Sequence, residues 1–459
     1  MPSPKLAIIG LDCADPKLVF ERWLDDLPNL KSLVRRGAWG PMESTIPAIT
    51  VPAWMCMATS QDPGQLGFYG FRNRKDHSYE GLFFANAQAV KAPTVWDVLG
   101  AAGKKVVVAG VPPSYPPKPV NGCLISCFLT PDQDSDFTYP KSLKAEINAR
   151  FGEYILDVKD FRTDDADYLL RQVWRLTENR FDVVSWLARE KPWDFLWFVE
   201  MGPDRLHHAM WKYFDAGHPN YKADPRYADK LHEYYVYLDG KVGDFLAVLP
   251  ADCHVVVVSD HGIQPMDGGF CFNDWLRREG YLVLKEEPRG PTKFKYDLVD
   301  WARTTAWGDG GYYGRCFMNV AGREPAGTVP AADYEKVRDE LKRKLEATTD
   351  EQGRNIGTRA FKPQDIYRRV DGVAPDLIVY FGNLAWRSIG TVGNAALWVH
   401  ENDTGPDDAN HSQTAMFIHA GPGVAAGRRD GVSIYDVAPT VLAALGLAAP
   451  GHMVGKIIR

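Results

Sequence analysis

The chain has 459 residues, 45% hydrophobic and 24% charged, which is ordinary for a soluble globular protein with one large domain or two average ones. The net charge of −6 gives no reason to expect a nucleic-acid polymer as partner, and no apolar run approaches the ~20 residues of a membrane span. The seven cysteines lack metal-knuckle spacing and read as reduced thiols; with no signal-peptide pattern at the N-terminus, the expected location is the cytoplasm.

Apolar β-branched runs alternate with helix-like stretches along the chain. Strands are predicted at Leu6–Leu11, Lys105–Gly110, Phe195–Glu200, Val255–Ser259, Asp376–Tyr380 and Ala415–His419. Helices are predicted at Asp25–Arg36, Pro93–Ala102, Pro140–Arg150, Asp165–Glu190, Lys230–Val248, Ala331–Glu346 and Tyr435–Leu445. This order points to an α/β fold: a three-layer α/β/α sandwich with a mostly parallel central sheet. Two stretches break the alternation. Residues 110–139, rich in Pro and Gly, read as an excursion over the sheet edge. Residues from about 263 to 400 read as a cap over the carboxyl edge of the sheet, and no linker divides residues 1–459 into independent domains.

The chemistry-bearing residues sit where predicted strands stop. Leu6-Ala-Ile-Ile-Gly-Leu11 ends on Asp12, and Val255-Val-Val-Val-Ser259 ends on Asp260-His261-Gly262. Parallel sheets present ligands at that edge, so these strands point to a metallohydrolase with two metal ions. Asp15, before Pro16, is the better helix cap, which leaves Asp12 for another role. Asp204 and His208 stand four apart behind Pro203, so on a helix they share one face and reach one ion; the competing reading is a helix-start acid with a surface His. Thr50, ahead of Pro52, sits at a helix N-terminus, where free N–H groups and the dipole favour an anion. Its hydroxyl is placed to attack a phosphoryl group there, with a divalent cation lowering its pKa; an N-cap threonine is the alternative. His411 stands at the entrance to the last strand. His77, His218, His254, His400, His419 and His452 have no constellation around them.

These pieces, in this order, resemble the alkaline phosphatase superfamily, in particular the type I phosphodiesterase/nucleotide pyrophosphatase-like branch and its predicted phosphohydrolase/phosphomutase group. The matching segments are Ile9-Gly-Leu-Asp12, Ser44-Thr-Ile-Pro-Ala-Ile-Thr-Val-Pro-Ala-Trp54, Asp204-Arg-Leu-His-His208, Ser259-Asp-His-Gly262, Asn410-His411 and Tyr435-Asp-Val-Ala-Pro-Thr-Val441. The resemblance implies one metal held by Asp12, Thr50, Asp260 and His261, and another held by Asp204, His208 and His411. It implies cleavage of a phosphodiester or pyrophosphate bond in a small molecule through a Thr50 phospho-enzyme. The carboxylate and imidazole ligands suit Zn²⁺ first and Mn²⁺ second. The nucleotide pyrophosphatases carry a phosphate-binding Asn about 21 residues after the nucleophile. Here that offset falls on Phe71, so Arg72 and Asn73 become the candidate substrate contacts. In the cap, Trp307, Arg315, Asn319 and Arg323 are further candidates. The rival readings are a phosphomutase or phosphomonoesterase on a small sugar phosphate, and a non-catalytic phosphoester-binding protein.

Overall fold

The apolar runs fold into the middle of one sheet. In the computed structural model, which describes residues 4–400 and 402–459, ten strands form that sheet. Their order is Gly427–Arg428, Ala38–Glu43, Thr414–Ala420, His254–Val258, Leu6–Leu11, Phe195–Glu200, Val106–Ala109, Gly122–Ile125, Thr138–Tyr139, with Val432–Ser433 also pairing with Ala38–Glu43. The three strands Leu6–Leu11, Phe195–Glu200 and His254–Val258 are buried at every residue. Both faces are covered, which is why their sequences are continuously apolar rather than alternating.

The register sets the site. Leu6–Leu11 runs parallel to both neighbours, with Leu11 opposite Glu200 and Gly10 opposite Val258. The chain therefore leaves all three strands at one edge, carrying Asp12, residues 201–204 and Asp260-His261 together. Thr414–Ala420 runs antiparallel to His254–Val258. It is thus the chain entering this strand, through His411, that lies at the same edge.

Helices cover the sheet in two packed groups. Pro28–Arg36, Ala166–Glu190, Gly202–Phe214 and Lys230–Leu246 form one, and Thr50–Thr59, Val95–Ala101 and Val437–Ala444 the other. Thr50–Thr59 is buried at every residue. Helices start later than predicted at Pro28, Tyr334 and Val437, because each is preceded by a short 3₁₀ turn, Leu24–Asp26, Ala331–Asp333 and Ile434–Asp436. No described helix is long and apolar enough to cross a membrane. All seven cysteines are unpaired and buried.

Three expectations change. Residues 110–139 are not only an excursion, since Gly122–Ile125 and Thr138–Tyr139 extend the central sheet. Ala38–Glu43 is a sheet strand that its Gly and Pro disguise, although its burial alternates as in a strand with one covered face. Leu377–Tyr380 is a strand of a different sheet. It lies antiparallel between Gly314–Met318 and Arg359–Phe361, in the four-stranded sheet that begins with Ala306–Asp309. An apolar run identifies a buried strand but not the sheet it joins.

That four-stranded sheet belongs to the segment between Gly262 and Ser412, which has its own core including Phe270, Trp307, Phe317, Leu341, Leu377 and Phe381. A small cluster of Ile49, Tyr69, Tyr313, Tyr367, Ile378 and Tyr380 joins it to the turn before Thr50. There the Ala48 N–H donates to the Tyr380 hydroxyl at 2.9 Å. The sheet-edge turn that carries Thr50 is thus held from above by the cap.

Candidate active site

Seven side chains from five separated segments meet at the carboxyl edge, all at most 4% exposed: Asp12, Thr50, Asp204, His208, Asp260, His261 and His411. Asp12 and Asp260 leave the ends of adjacent strands. Thr50 opens its helix, and Asp204 and His208 project from one face of the helix Gly202–Phe214, as their spacing requires. His411 comes from the chain that pairs with Gly262–Pro265, opposite Ile263.

The distances define two overlapping clusters. His261 Nε2 lies 3.1 Å from Asp260 Oδ2 and 3.9 Å from Asp12 Oδ1. Thr50 Oγ1 lies 3.4 Å from the same Nε2. On the other side, Asp204 Oδ1 is 3.2 Å from His208 Nε2 and 3.8 Å from His411 Nε2. The His261 and His411 rings stack at 3.7 Å, joining the two halves. One possible ligand atom each from Asp12, Asp260 and His261, and likewise from Asp204, His261 and His411, falls within 4.8 Å of the others.

The outer contacts all turn the inner atoms toward this space. The Nδ1 of His208 meets Asp407 Oδ1 at 2.8 Å, that of His261 meets the Gly262 carbonyl at 3.1 Å, and that of His411 meets the Ala48 carbonyl at 2.9 Å. Each ring therefore carries its proton on Nδ1 and aims Nε2 inward, as metal-binding imidazoles do. Trp54, one turn after Thr50, donates its indole N–H to Asp12 Oδ2 at 2.6 Å. The Cys13 N–H donates to Asp260 Oδ1 at 3.2 Å, and Arg205 donates to Asp204 Oδ2 at 2.6 Å.

What remains inside is a set of orphans. Asp12 Oδ1, Asp204 Oδ1, Asp260 Oδ2 and His208 Nε2 are buried without a hydrogen-bond partner. Each such atom costs ~1–3 kcal/mol. Asp204 Oδ1 faces His208 Nε2 at 3.2 Å and Asp260 Oδ2 faces His261 Nε2 at 3.1 Å, so a cation between them would satisfy the atoms turned inward. Burial, then the charges of Asp260 and Asp204, push the Asp12 carboxyl well up, and burial pushes Asp260 up too. Burial lowers His261 to about 4 and takes His411 well below its usual range. For His208, burial is outweighed by Asp407 and Asp204, which raise it to about 9. Asp12 and Asp260, which resist ionising, beside His261 and His411, which stay neutral, are groups that a cation would relieve. Oxygen and nitrogen donors of this kind suit a divalent ion, and the two candidate triads share His261.

Thr50 also faces a cavity of about 430 Å³. No side chain caps its helix, so the first N–H groups and the positive dipole end stay available to an anion. Gly310 and Gly311 bring the cap hairpin down to the rim. A Cβ on Gly310 would lie 2.6 Å from the Gly390 nitrogen, and Gly311 has φ +148°.

Sequence similarity and fold agree with this geometry. Residues 6–410 match the family model of the type I phosphodiesterases/nucleotide pyrophosphatases. The chain belongs to this family, within the alkaline phosphatase superfamily. That places the family member described here among the phosphoester hydrolases. No curated protein is matched by sequence. Among solved structures, the chain is similar to murine ectonucleotide pyrophosphatase/phosphodiesterase 5, as an inactive variant in complex with AMP, at 12% identity and a TM-score of 0.57, covering 98% of this chain and 96% of that one. It is also similar to phosphonoacetate hydrolase from Sinorhizobium meliloti 1021 in complex with phosphonoformate, at 16% identity and a TM-score of 0.60, with 98% and 96% covered. At such identities the likeness is one of fold.

The phosphodiesterase-family chain departs from its sequence reading mainly around the cavity. Arg72 lines it, but Asn73 does not. The Asn73 oxygen accepts the Tyr69 N–H at 2.7 Å and its amide donates to the Gly70 carbonyl at 2.9 Å, so the loop itself satisfies both ends. Of the cap candidates, only Arg315 reaches the cavity. Trp307 is a core residue, Asn319 donates to three backbone carbonyls, and Arg323 pairs with Glu324 and Asp376. Trp54, Asp157, Arg162, Arg205, Tyr312, Arg387 and Asp407 were not singled out by sequence. Only two carried a signal: Trp54 lies four residues after Thr50 on the same helix, and Arg205 adjoins Asp204.

Proposed function

We propose that the chain is a two-metal phosphohydrolase that cleaves a phosphodiester or pyrophosphate bond of a small molecule, with Thr50 as nucleophile. The observation that carries this reading is the convergence of Thr50 Oγ1, at 3.4 Å from His261 Nε2, with four orphaned, buried ligand atoms at an uncapped helix N-terminus.

In this reading Asp12, Thr50, Asp260 and His261 hold one ion, and Asp204, His208 and His411 hold the other. The N/O donor set suits Zn²⁺ first and Mn²⁺ second. When bound, such a pair supplies Lewis acidity, which lowers the Thr50 hydroxyl pKa and offsets charge on the phosphoryl oxygens. The chain's own groups do the rest. The helix N-terminus binds the phosphoryl anion beside Thr50. Thr50 Oγ attacks phosphorus in line, the bond to the leaving oxygen breaks, and a phosphothreonine forms. Water then cleaves it and restores the hydroxyl. The Nδ1 contacts to Asp407, Gly262 and Ala48 keep the three rings from turning during this cycle. The roofed cavity suits a small ester rather than a polymer.

The test is hydrolysis of bis(4-nitrophenyl) phosphate by protein loaded with Zn²⁺ or Mn²⁺. Activity should require metal and disappear in Thr50→Ala, while metal analysis still finds divalent ions bound. Full activity in Thr50→Ala would overturn the nucleophile assignment. Release of phosphate from monoesters with diesters inert would favour the monoesterase reading.

A further inference from the structure

The cavity above Thr50 is rich in arginine, and most of these arginines are paired with carboxylates. Arg72, Arg162, Arg205, Arg315 and Arg387 line it, against the carboxylates Asp157 and Asp204. Three of these arginines are tied down: Arg205 by Asp157 and Asp204, and Arg162 and Arg387 by Asp407. Arg315 meets one acid, Asp309, at 3.4 Å, and that Asp309 oxygen makes no hydrogen bond. Among the described residues the Arg72 guanidinium, which is exposed to solvent, has no hydrogen-bond or ion-pair partner. Arg315 also donates to the Arg72 carbonyl, which fixes it beside the Arg72 segment.

These two cations line the same cavity as Thr50 and pair with none of the seven clustered side chains. A bare phosphoryl group is already met by the helix terminus and the ligand cluster, and it needs neither of them. Arg315 is only 8% exposed, so its charge is poorly screened by solvent. Asp309 offsets part of the cost of burying that guanidinium, and a bound anion would offset more. Phe71 and Phe128 supply an apolar wall on the same cavity.

We propose that Arg72 and Arg315 form a second anion subsite. The substrate then carries, besides the phosphoryl group at Thr50, a carboxylate or a phosphate on one ester arm. This inference rests on the phosphohydrolase reading above and names the substrate class for that site.

The experiment compares three chromogenic diesters with the metal-loaded protein: 4-nitrophenyl ethyl phosphate, its 2-carboxyethyl analogue and its 2-phosphoethyl analogue. Either charged arm should raise kcat/KM over the ethyl ester by about tenfold or more, the usual worth of a charge-assisted bond. The better of the two identifies the source of the anion. Arg72→Gln should remove about tenfold of that preference, and Arg72→Lys should restore part of it. Arg315→Gln should act in the same direction in protein whose thermal melting shows it folded. No preference in the unaltered protein, or a preference untouched by Arg72→Gln, overturns the proposal. If no diester is hydrolysed, the phosphohydrolase reading fails, and binding decides the subsite separately by calorimetry. Tighter binding of 2-carboxyethylphosphonate than of ethylphosphonate, lost in Arg72→Gln, supports it, and equal binding overturns it.

Discussion

The two halves of the ligand cluster are built from different materials. Asp12, Asp260 and His261 stand on the central sheet and are fixed by a backbone N–H from Cys13, a carbonyl from Gly262 and the Trp54 indole. Asp204 and His208 stand on a helix and are fixed by charges. Arg205 grips Asp204 and is itself held by Asp157 at 2.7 Å. Asp407 grips His208 and is surrounded by Arg162, Arg387 and the Tyr312 hydroxyl. Of these, Tyr312 and Arg387 come from the cap. The supports of the first half lie on or beside the sheet, while those of the second include Tyr312 and Arg387 from the inserted segment. Tyr312 also meets the imidazoles, stacking on His208 at 5.0 Å and lying 4.4 Å from His411.

This contrast can be broken at several points. The largest effect is expected for Asp260→Asn, which removes a charge from the sheet-borne half: hydrolysis should fall on the order of 10³-fold, with one of two metal equivalents lost on analysis. A variant that keeps both ions and full turnover would remove Asp260 from the site. Next is Asp407→Asn, which touches no reacting atom. It should weaken metal binding about 10–100-fold, in the helix-borne half alone, so that titration with a chelator shows one ion leaving early. Loss of both ions together would show that the halves are not separable. Tyr312→Phe deletes one hydrogen bond to Asp407 and keeps the ring; a loss of about 2–10-fold in affinity for the same ion is expected. Trp54→Phe is the smallest for catalysis. It leaves Asp12 Oδ2 without its donor, so the metal-free protein should lose ~1–3 kcal/mol in denaturant unfolding, with the loss shrinking when metal is present.

The same division explains what could be read from the sequence. Ligands at strand ends announce themselves, because a fully buried parallel strand is an unbroken apolar run and the first polar residue after it lies at the sheet edge. Asp12 and Asp260-His261 are legible for that reason, and Asp204 with His208 through their helical spacing. The supports of the helix-borne half are not legible. Asp157, Asp407 and Arg162 come from loops distant in sequence and Arg387 from a short strand, and a charged residue there looks the same whether it faces solvent or a buried imidazole. Asn73 shows the reverse error: a residue at a suggestive offset whose amide the local loop already satisfies. In the cap, apolar patterning located Leu377–Tyr380 as a strand but could not say which sheet it joins, since partner choice depends on packing across the molecule.

The reversed direction of Thr414–Ala420 has a consequence for the site. This strand lies between Ala38–Glu43 and His254–Val258. It pairs with both, so the sheet is continuous only through it. The segment leading into it carries His411 to its place. The strand that fills the sheet and the histidine beside the cluster therefore belong to one continuous stretch of chain.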